Sequence, residues 1–224
     1  MNYETIKQAI QAGHAPSTVP ALCLPVLAKI ADRTAPVRAV RHPLGFLCLP
    51  VQRHGALGVC IHVWTSALPQ ATCTMSPVHS HSWDLASFVL YGSVGNRFMR
   101  VADDPQSGSY RVFEVRSYGE VDEMRATRRL VRCVEQDHRV ACAGTTYYLA
   151  AGSFHESVLV GGAEAATVVL GRSVPAHDLS LGRLDLATHR VVRQWCDARE
   201  SADAARVVTE NLVSTVQRVT GKTG

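Results

Sequence analysis

His79 and His81 are separated by one residue, a spacing that can direct two imidazole rings at one metal ion. In an extended strand alternate residues face the same side, so these side chains would project together about 7 Å apart along the backbone. A third ring, from His155, follows Gly152, and glycine adopts turn conformations that other residues resist. The pattern predicts a metal site of His79, His81 and His155. The alternative for each histidine is an ordinary core or surface residue.

The segments around these histidines resemble the two motifs of the cupin superfamily. Residues 79 to 92, HSHSWDLASFVLYG, are similar to the first motif, in which His-x-His is followed by an acidic ligand and a glycine. Residues 150 to 157, AAGSFHES, are similar to the second, with Ala150 where the family has proline. The resemblance covers roughly residues 40 to 172. It implies a mainly β protein with a single cupin-type β-barrel (double-stranded β-helix). It says nothing about the helical additions at both termini, which hydrophobic periodicity predicts separately.

The acidic position of the first motif departs from the family pattern. Cupins usually place a glutamate four or five residues after the second histidine, where this chain has Leu85 and Ala86. Asp84 comes one residue early, and its odd spacing from His81 turns it away from the metal unless a bulge brings it back. We expect three neutral imidazole ligands, with Asp84 either orienting an imidazole N–H from outside the ligand set or facing outward.

Three imidazoles leave positions on the ion open for other ligands. With Fe(II), such a set resembles that of thiol dioxygenases and implies a non-haem iron oxygenase that uses O₂ and a small polar or amino-acid-like substrate. Ala86 stands near the position of the cysteine that some of those enzymes crosslink to tyrosine, so that crosslink is not expected. Zn(II) or another divalent metal is the alternative, with isomerase, lyase or condensation chemistry. A third alternative is a cupin that binds a small ligand without catalysis.

Side chains on the surrounding strands are candidates to contact a substrate. His62 alternates with apolar residues and shares its face with Cys60 and Trp64, which predicts that this face lines the barrel cavity. Tyrosine donates a directed O–H and arginine binds carboxylates. Ordinary cross-strand packing or exposure on the sheet is the alternative for each candidate. Besides His62, the candidates are Tyr91 and Tyr147 as catalytic groups and Arg97 and Tyr148 as substrate-binding groups.

Hydrophobic periodicity divides the chain into three segments. Residues 1–36 contain two helices, the second of which would be kinked or interrupted at Pro25. Residues 37–172 carry short apolar runs separated by Gly, Pro, Asp and Ser, which predicts the strands of one sandwich or small barrel. Residues 173–224 are predicted to be helical, with an amphipathic helix over Ala202 to Val219.

Composition sets the broad class of the protein. A chain of 224 residues, 46% of them hydrophobic, can bury a sizeable core. The net charge of +4 comes from scattered basic residues, so we expect no nucleic-acid surface. The odd number of cysteines, 7, argues against a closed disulfide framework and for reduced thiols. The sequence shows no signal peptide and no membrane span, so we expect a cytoplasmic protein. The resemblance to cupins implies a homodimer.

Overall fold

The protein is built mainly from β-strands, as the sequence predicts. In residues 1–162 and 164–220, which the computed structural model describes, the chain forms fourteen strands and three helices. The helices are α1 (Tyr3–Gln11), α2 (Ala15–Ala31) and α3 (Ala198–Thr220). The strands are β1 (Val40–His42), β2 (Phe46–His54), β3 (Leu57–Trp64), β4 (His79–Ser80), β5 (Trp83–Tyr91), β6 (Ser93–Asp103), β7 (Tyr110–Tyr118), β8 (Val121–Cys142), β9 (Thr146–Leu149), β10 (His155–Leu159), β11 (Ala165–Ser173), β12 (Asp178–Gly182), β13 (His189–Val192) and β14 (Gln194–Trp195).

The strands pair in two seven-stranded sheets whose inner faces line a common cavity. Sheet 1 has the order β14-β1-β2-β3-β11-β5-β9, and sheet 2 has the order β13-β8-β6-β10-β4-β12-β7. The 22 residues of β8 pair with β7 over the first part of the strand and with β6 over the second. β8 therefore pairs both with β7, the last strand in the sheet 2 order, and with β6, near the other end of that order.

Sheet 1 is also buried on the face opposite the cavity. Alternate residues of β3, namely Val59, Ile61 and Val63, pack in one cluster with apolar residues of α1, α2 and α3. The neighbouring strand β11 is buried from Ala165 to Gly171. Strands covered on both faces read as nearly continuous apolar runs, and this explains the composition of β11.

The helix α2 continues through the proline at which the sequence analysis expects a kink or interruption. α2 extends from Ala15 to Ala31 with Pro25 inside it, so the helix is not interrupted there. A proline inside a helix removes one backbone hydrogen bond and costs about 3 kcal/mol. The same helix buries Val19, Cys23 and Leu27 against the core, and burial of a large apolar side chain contributes about 1.5–3 kcal/mol. Tertiary packing therefore outweighs the cost of the proline.

Part of the C-terminal segment expected to be helical is in fact extended. Residues 178–195 contain β12, β13 and β14, so the prediction of helix from residue 173 is wrong there. The sequence of β12 alternates, with Leu179 and Leu181 separated by Ser180, and this period of two is typical of a strand. β12 pairs with β4 and places Ser180 opposite His79. These strands therefore help to position a predicted ligand.

The last helix begins with reciprocal hydrogen bonds between Asp197 and Glu200. The Glu200 N–H donates to Asp197 Oδ1 at 2.7 Å, and the Asp197 N–H donates to Glu200 Oε2 at 2.9 Å. On the predicted apolar face, Ala205, Val208 and Leu212 are buried. Val216 and Val219, expected on the same face, lie outside the residues whose side chains are described. Among the described helices, none has both the length and the apolar character needed to cross a membrane.

Candidate metal centre

Three histidine rings converge at the wall of the cavity, as the sequence predicts. His79 lies in β4, His81 follows two residues later, and His155 begins β10. The ring centroids are 4.6 Å apart for His79 and His81, 4.4 Å for His79 and His155, and 5.0 Å for His81 and His155. One nitrogen from each ring lies within 4.8 Å of the nitrogens from the other two. The structure thus brings together all three predicted ligands.

The pairing of short strands positions these rings. β10 pairs with β4 so that His155 lies directly opposite His79, and directly opposed residues project from the same face of a sheet. β4 has only two residues and pairs with both β10 and β12. The neighbouring strands therefore determine the orientation of β4 and of the His79 side chain.

The turn before His155 is hydrogen-bonded to the segment that carries His81. Gly152 has a φ of +79°, in the left-handed region that favours glycine. Its N–H donates to the carbonyl oxygen of His81 at 2.8 Å. The neighbouring Ala151 N–H donates to Asp84 Oδ1 at 3.1 Å. These hydrogen bonds fix the approach of His155 to the other two rings.

Two of the rings use one nitrogen to bond the backbone. His79 Nδ1 lies 2.9 Å from the carbonyl oxygen of Pro77, and His155 Nδ1 lies 3.0 Å from that of Ser153. Because a carbonyl oxygen only accepts, Nδ1 carries the proton in both neutral rings and Nε2 keeps its lone pair. Both rings are thus held in the tautomer that can bind a cation through Nε2.

Burial favours the neutral form of all three imidazoles. Desolvation lowers the pKa of His79 and the pKa of His81 well below the ordinary value, and neighbouring histidines lower both further. Desolvation also lowers the pKa of His155, opposed by the hydrogen bond to Ser153. A buried imidazolium loses its hydration, so the charged form is the costly one. Neutral imidazole is the form that binds metal.

The rings face a cavity of about 740 Å³. Its volume lies within the range of about 300–1,000 Å³ that is typical of sites for drug-sized ligands. Charged side chains also reach it, including Arg53, Asp122 and Arg193. The apolar and aromatic part of the lining includes Phe46, Trp64, Trp83, Leu85, Tyr147 and Leu149.

Asp84 faces away from the rings, and it does not orient an imidazole. Its Oδ2 accepts from the Arg172 guanidinium at 2.8 Å, and its Oδ1 accepts from the Ala151 N–H. The ion pair with Arg172 lies at the surface, where it holds the pKa of Asp84 below its usual value. The outward alternative of the sequence analysis is the one observed. Asp84 acts on the site indirectly, by holding the turn that precedes His155.

An Asp84→Asn variant is expected to retain its metal. The amide oxygen can still accept from Ala151, and the lost ion pair is exposed, so the free energy of unfolding should fall by less than about 1 kcal/mol. Metal content after dialysis and urea unfolding measure the two effects. Loss of the ion from this variant would contradict the outward placement of Asp84.

Tyr91 is not in the cavity, although it was predicted to be catalytic. β5 and β11 pair with a register shift, so that Ala166 is opposite Tyr91 but Thr167 is opposite Val89. The extra residue in β5 reverses the alternation of side chains. Tyr91 therefore packs in the cluster that contains the helices, and burial raises its pKa.

Arg97 and Tyr148 also lie on outer faces, so the structure does not support their predicted contact with substrate. Arg97 is opposite Glu156 in the pairing of β6 with β10, and its guanidinium lies 3.5 Å from that carboxylate. Glu156 follows the inward-facing His155 and must point outward. Tyr148 is 64% exposed, because its neighbour Tyr147 takes the inward position.

His62 and Tyr147 do line the cavity, as expected for residues that contact a substrate. The predicted division of β3 into two faces is observed, since Cys60, His62 and Trp64 all face the cavity. Their roles in binding or catalysis stay predictions.

The sequence analysis missed residues of β1 and β2 that complete this wall. Phe46 stacks between His42 and His62, with ring centroids 4.4 Å apart on both sides. Cys48 projects into the cavity two residues after Phe46. Residues 46–51 are all apolar, so the sequence carries no alternation that marks this face.

His42 and His62 should make the stability of the metal-free protein depend on pH. Burial is the main cause that lowers the pKa of His42 to about 4 and the pKa of His62 to about 3, from an ordinary value of 6.5. Between about pH 6.5 and about pH 4 the unfolded chain therefore binds more protons, and the free energy of unfolding must fall as the pH falls. Urea unfolding across this range measures the slope. A His62→Gln variant should show a smaller slope, and an unchanged slope would contradict the assignment.

Comparisons with known proteins give only distant structural similarities. No protein-family model and no curated protein matches the chain. The Fe(II) HppE crystal structure is 10% identical with a TM-score of 0.31, over 57% of this chain and 49% of that one. The polyketide cyclase RemF from Streptomyces resistomycificus is 16% identical with a TM-score of 0.35, over 68% of this chain and 82% of that one. Hydroxypropylphosphonic acid epoxidase from S. wedmorenis is 10% identical with a TM-score of 0.33, over 61% of this chain and 55% of that one.

The chain spans about half the length of the Fe(II) HppE and hydroxypropylphosphonic acid epoxidase structures that it resembles. At these identities and TM-scores the similarities assign neither a family nor an activity. The functional argument therefore rests on the geometry of the three histidines and the cavity.

Proposed function

We propose that the protein is a mononuclear metal-dependent enzyme with a cupin-type β-barrel, and that it acts as a non-haem Fe(II) oxygenase. The observation that carries this proposal is the convergence of three neutral imidazoles beside a cavity large enough to hold a substrate. The metal ligands in the proposal are His79, His81 and His155.

The spacing of the nitrogens fits a bound ion. Two nitrogens that each lie about 2.1 Å from one ion are about 3.0–3.4 Å apart at octahedral or tetrahedral angles. The Nε2 atoms of His79 and His81 are 3.2 Å apart. Among the described residues, His155 is the one further candidate ligand grouped with these two rings. Because all three ligands are neutral, a bound divalent ion would keep its double positive charge, and it would have coordination positions open for other ligands.

The ion and the protein would make different contributions to the reaction. Bound Fe(II) would bind O₂ and activate it, while the substrate would be the net source of the electrons. The chain holds its ligands in place through the Pro77 and Ser153 carbonyls. Trp83 contacts the His81 ring edge-on, with centroids 5.5 Å apart, and so shields one side of it from water.

Tyr147 is the group that we propose as a hydrogen-bond donor to the substrate. Its side chain lines the cavity, and Ser87, Asn96 and Thr167 lie around its hydroxyl. Burial raises the pKa of Tyr147, and the three polar neighbours lower it by less. The phenol therefore stays protonated at neutral pH and can donate to an oxygen atom of the substrate.

The lining favours a larger and less polar substrate than the small polar one expected from the resemblance to thiol dioxygenases. The two groups expected to bind a carboxylate, Arg97 and Tyr148, lie outside the cavity, although Arg53 reaches it and is available to an acidic group. Aromatic rings such as Trp64 and Trp83 form part of the wall. A volume of about 740 Å³ also exceeds the need of a single amino acid. We therefore propose a substrate with an apolar or aromatic body and a polar group that approaches the ion.

Metal analysis and oxygen uptake test the proposal. Protein purified without oxygen and reloaded with Fe(II) or with Zn(II) is screened in an oxygen electrode against thiols, phenols and aromatic acids, with products identified by mass spectrometry. We expect uptake that requires Fe(II), protein and one substrate class. Turnover with Zn(II) but without O₂ would instead support an isomerase, lyase or condensing enzyme. Ligand binding without turnover under either metal would support a binding protein.

Adjacent tyrosines supply a matched control. Tyr147→Phe should lower kcat/KM by about 10–100-fold, since it removes one positioned donor. Tyr148→Phe makes the same chemical change on an exposed residue and should leave kcat/KM unchanged. Equal effects of the two substitutions would contradict the role of Tyr147.

A further inference from the structure

A second cluster of metal-ligating side chains lies on the sheet 1 wall of the cavity. It consists of Cys48 on β2 with Cys60 and His62 on β3, and all three line the cavity. One donor atom from each residue lies within 4.8 Å of the donor atoms of the other two. We propose that these residues form a second metal site, separate from the three histidines, and that it binds Zn(II).

The second cluster repeats the backbone arrangement of the three-histidine site. Cys48 lies directly opposite His62 in the pairing of β2 with β3, and Cys60 stands two residues before His62. In the three-histidine site, likewise, two ligands are opposed on neighbouring strands and the third stands two residues from one of them. Three residues in this pattern project from one face of a sheet and form the corners of a triangle. Sheet 1 and sheet 2 therefore present equivalent triangles of donors to one cavity.

Strand register favours a metal over a disulfide between the two cysteines. Cys60 is opposite Pro50 rather than Cys48, so the cysteines are diagonal neighbours. Diagonal residues have Cβ atoms up to about 7 Å apart, whereas a disulfide requires about 3.5–4.5 Å. A zinc ion with Zn–S bonds of about 2.3 Å spans the gap between two sulfur atoms without moving the strands.

The donor types select the metal. Two thiolates and one imidazole are soft to intermediate ligands, which suit Zn(II) better than the hard cations Ca²⁺ or Mg²⁺. Cys₂His with a fourth position open to water or substrate is a ligand set that catalytic zinc sites use. The open position here faces the cavity, because all three side chains line it. The site would therefore hold an ion that a cavity ligand can reach.

The surroundings restrict the rotation of the imidazole and place the positive charge of Arg53 near both cysteines. The ring of His62 stacks on Phe46 with an interplanar angle of 29°, which restricts its rotation. The hydrogen bond between the two cysteines lowers the pKa of Cys60 and, together with burial, raises the pKa of Cys48, while Arg53 acts to lower both. Nearby positive charge stabilises thiolates, which are the metal-binding form of cysteine.

Titration of the reduced protein with Co(II), a spectroscopic substitute for zinc, tests the proposal. Cobalt–thiolate bonds absorb strongly in the near ultraviolet, whereas a site of three imidazoles lacks that charge-transfer band. We expect the wild-type protein to bind two equivalents of metal and to show the band. Cys48→Ser/Cys60→Ser should bind one equivalent without the band, and His79→Ala/His155→Ala should bind one equivalent with it. A Cys142→Ser control removes an exposed thiol and should match wild type.

A measurement on the wild-type protein avoids dependence on the variants. The reduced protein, with and without Zn(II), is treated with iodoacetamide, and modified cysteines are located by mass spectrometry. We expect Zn(II) to slow alkylation of Cys48 and Cys60 at least tenfold and to leave Cys142 unaffected. Equal alkylation with and without zinc, a wild-type stoichiometry of one metal without the thiolate band, or a Cys48–Cys60 disulfide that excludes the metal would overturn the proposal. These outcomes do not depend on oxygenase activity, so they are distinguishable from failure of the proposed function.

Discussion

A His155→Ala variant is expected to lose its bound metal ion and all metal-dependent turnover. His155 is 1% exposed, and its ring lies beside both His79 and His81. Even residues that only orient a ligand change metal affinity by about 10–100-fold. Removal of a ligand from a set of three should therefore weaken binding at the three-histidine site by more than about 100-fold. Competition with a chromophoric chelator measures the affinity at this site.

The increase in Tm caused by bound metal gives a second measure of the same variant. An ion that binds only the folded state raises Tm, and at about 100 times Kd it adds about 2.7 kcal/mol. We expect this metal-dependent increase to be much smaller in His155→Ala than in wild type.

A control histidine is available on β13. The Nδ1 of His189 contacts the carbonyl oxygen of Ala187 at 3.0 Å, in the same local arrangement as His155 with Ser153, but His189 lies outside the cluster. His189→Ala should therefore retain wild-type affinity. Unchanged affinity in His155→Ala, or equal losses in the two variants, would contradict the assignment of the site.

A Gly92→Ala variant is expected to lose about 3 kcal/mol or more of folding free energy. Gly92 links β5 to β6 with a φ of +74°. A Cβ atom there would lie 2.4 Å from the carbonyl oxygen of Glu164 and 2.7 Å from the Cβ of Ala165. The first contact is with backbone, so relief requires movement of the start of β11 in sheet 1. Urea unfolding measures the loss.

Gly144 separates the two causes of this loss. Its φ is +82°, yet a Cβ atom there would meet no other atom within 4 Å. Gly144→Ala should therefore cost only the conformational strain, about 1–2 kcal/mol. If Gly92→Ala cost no more than Gly144→Ala, the close approach to β11 would not be the reason for glycine at position 92.

The predictable features are those that depend on local alternation. The separation of His79 and His81 by one residue places both rings on one side, and the alternation of Cys60, His62 and Trp64 marks the cavity face of β3. Both patterns follow from the period of two in extended chains, which residue types alone reveal. The predicted convergence of His155 with the other rings also agrees with the structure.

The features that were mispredicted depend on residues distant in sequence. The bulge that turns Tyr91 toward the helices arises from pairing with β11, and the apolar residues around it would fit either face. For Asp84 the sequence allowed two placements, and the outward one is observed together with an ion pair to Arg172 of a different strand. The segment after residue 173 was predicted to be helical, whereas part of it is extended, and β12 within it pairs with the distant strand β4. In each case tertiary pairing decided between local alternatives.

The brevity of β4 implies an order of events during folding. Two residues supply too few hydrogen bonds to hold a strand alone, so β4 acquires its orientation once β10 and β12 have docked on either side of it. Those neighbours come from chain far downstream, and contacts of such long sequence separation form slowly. We therefore expect the three histidines to come together only late in folding. An ion held by these histidines would then stabilise the finished protein without guiding the earlier steps.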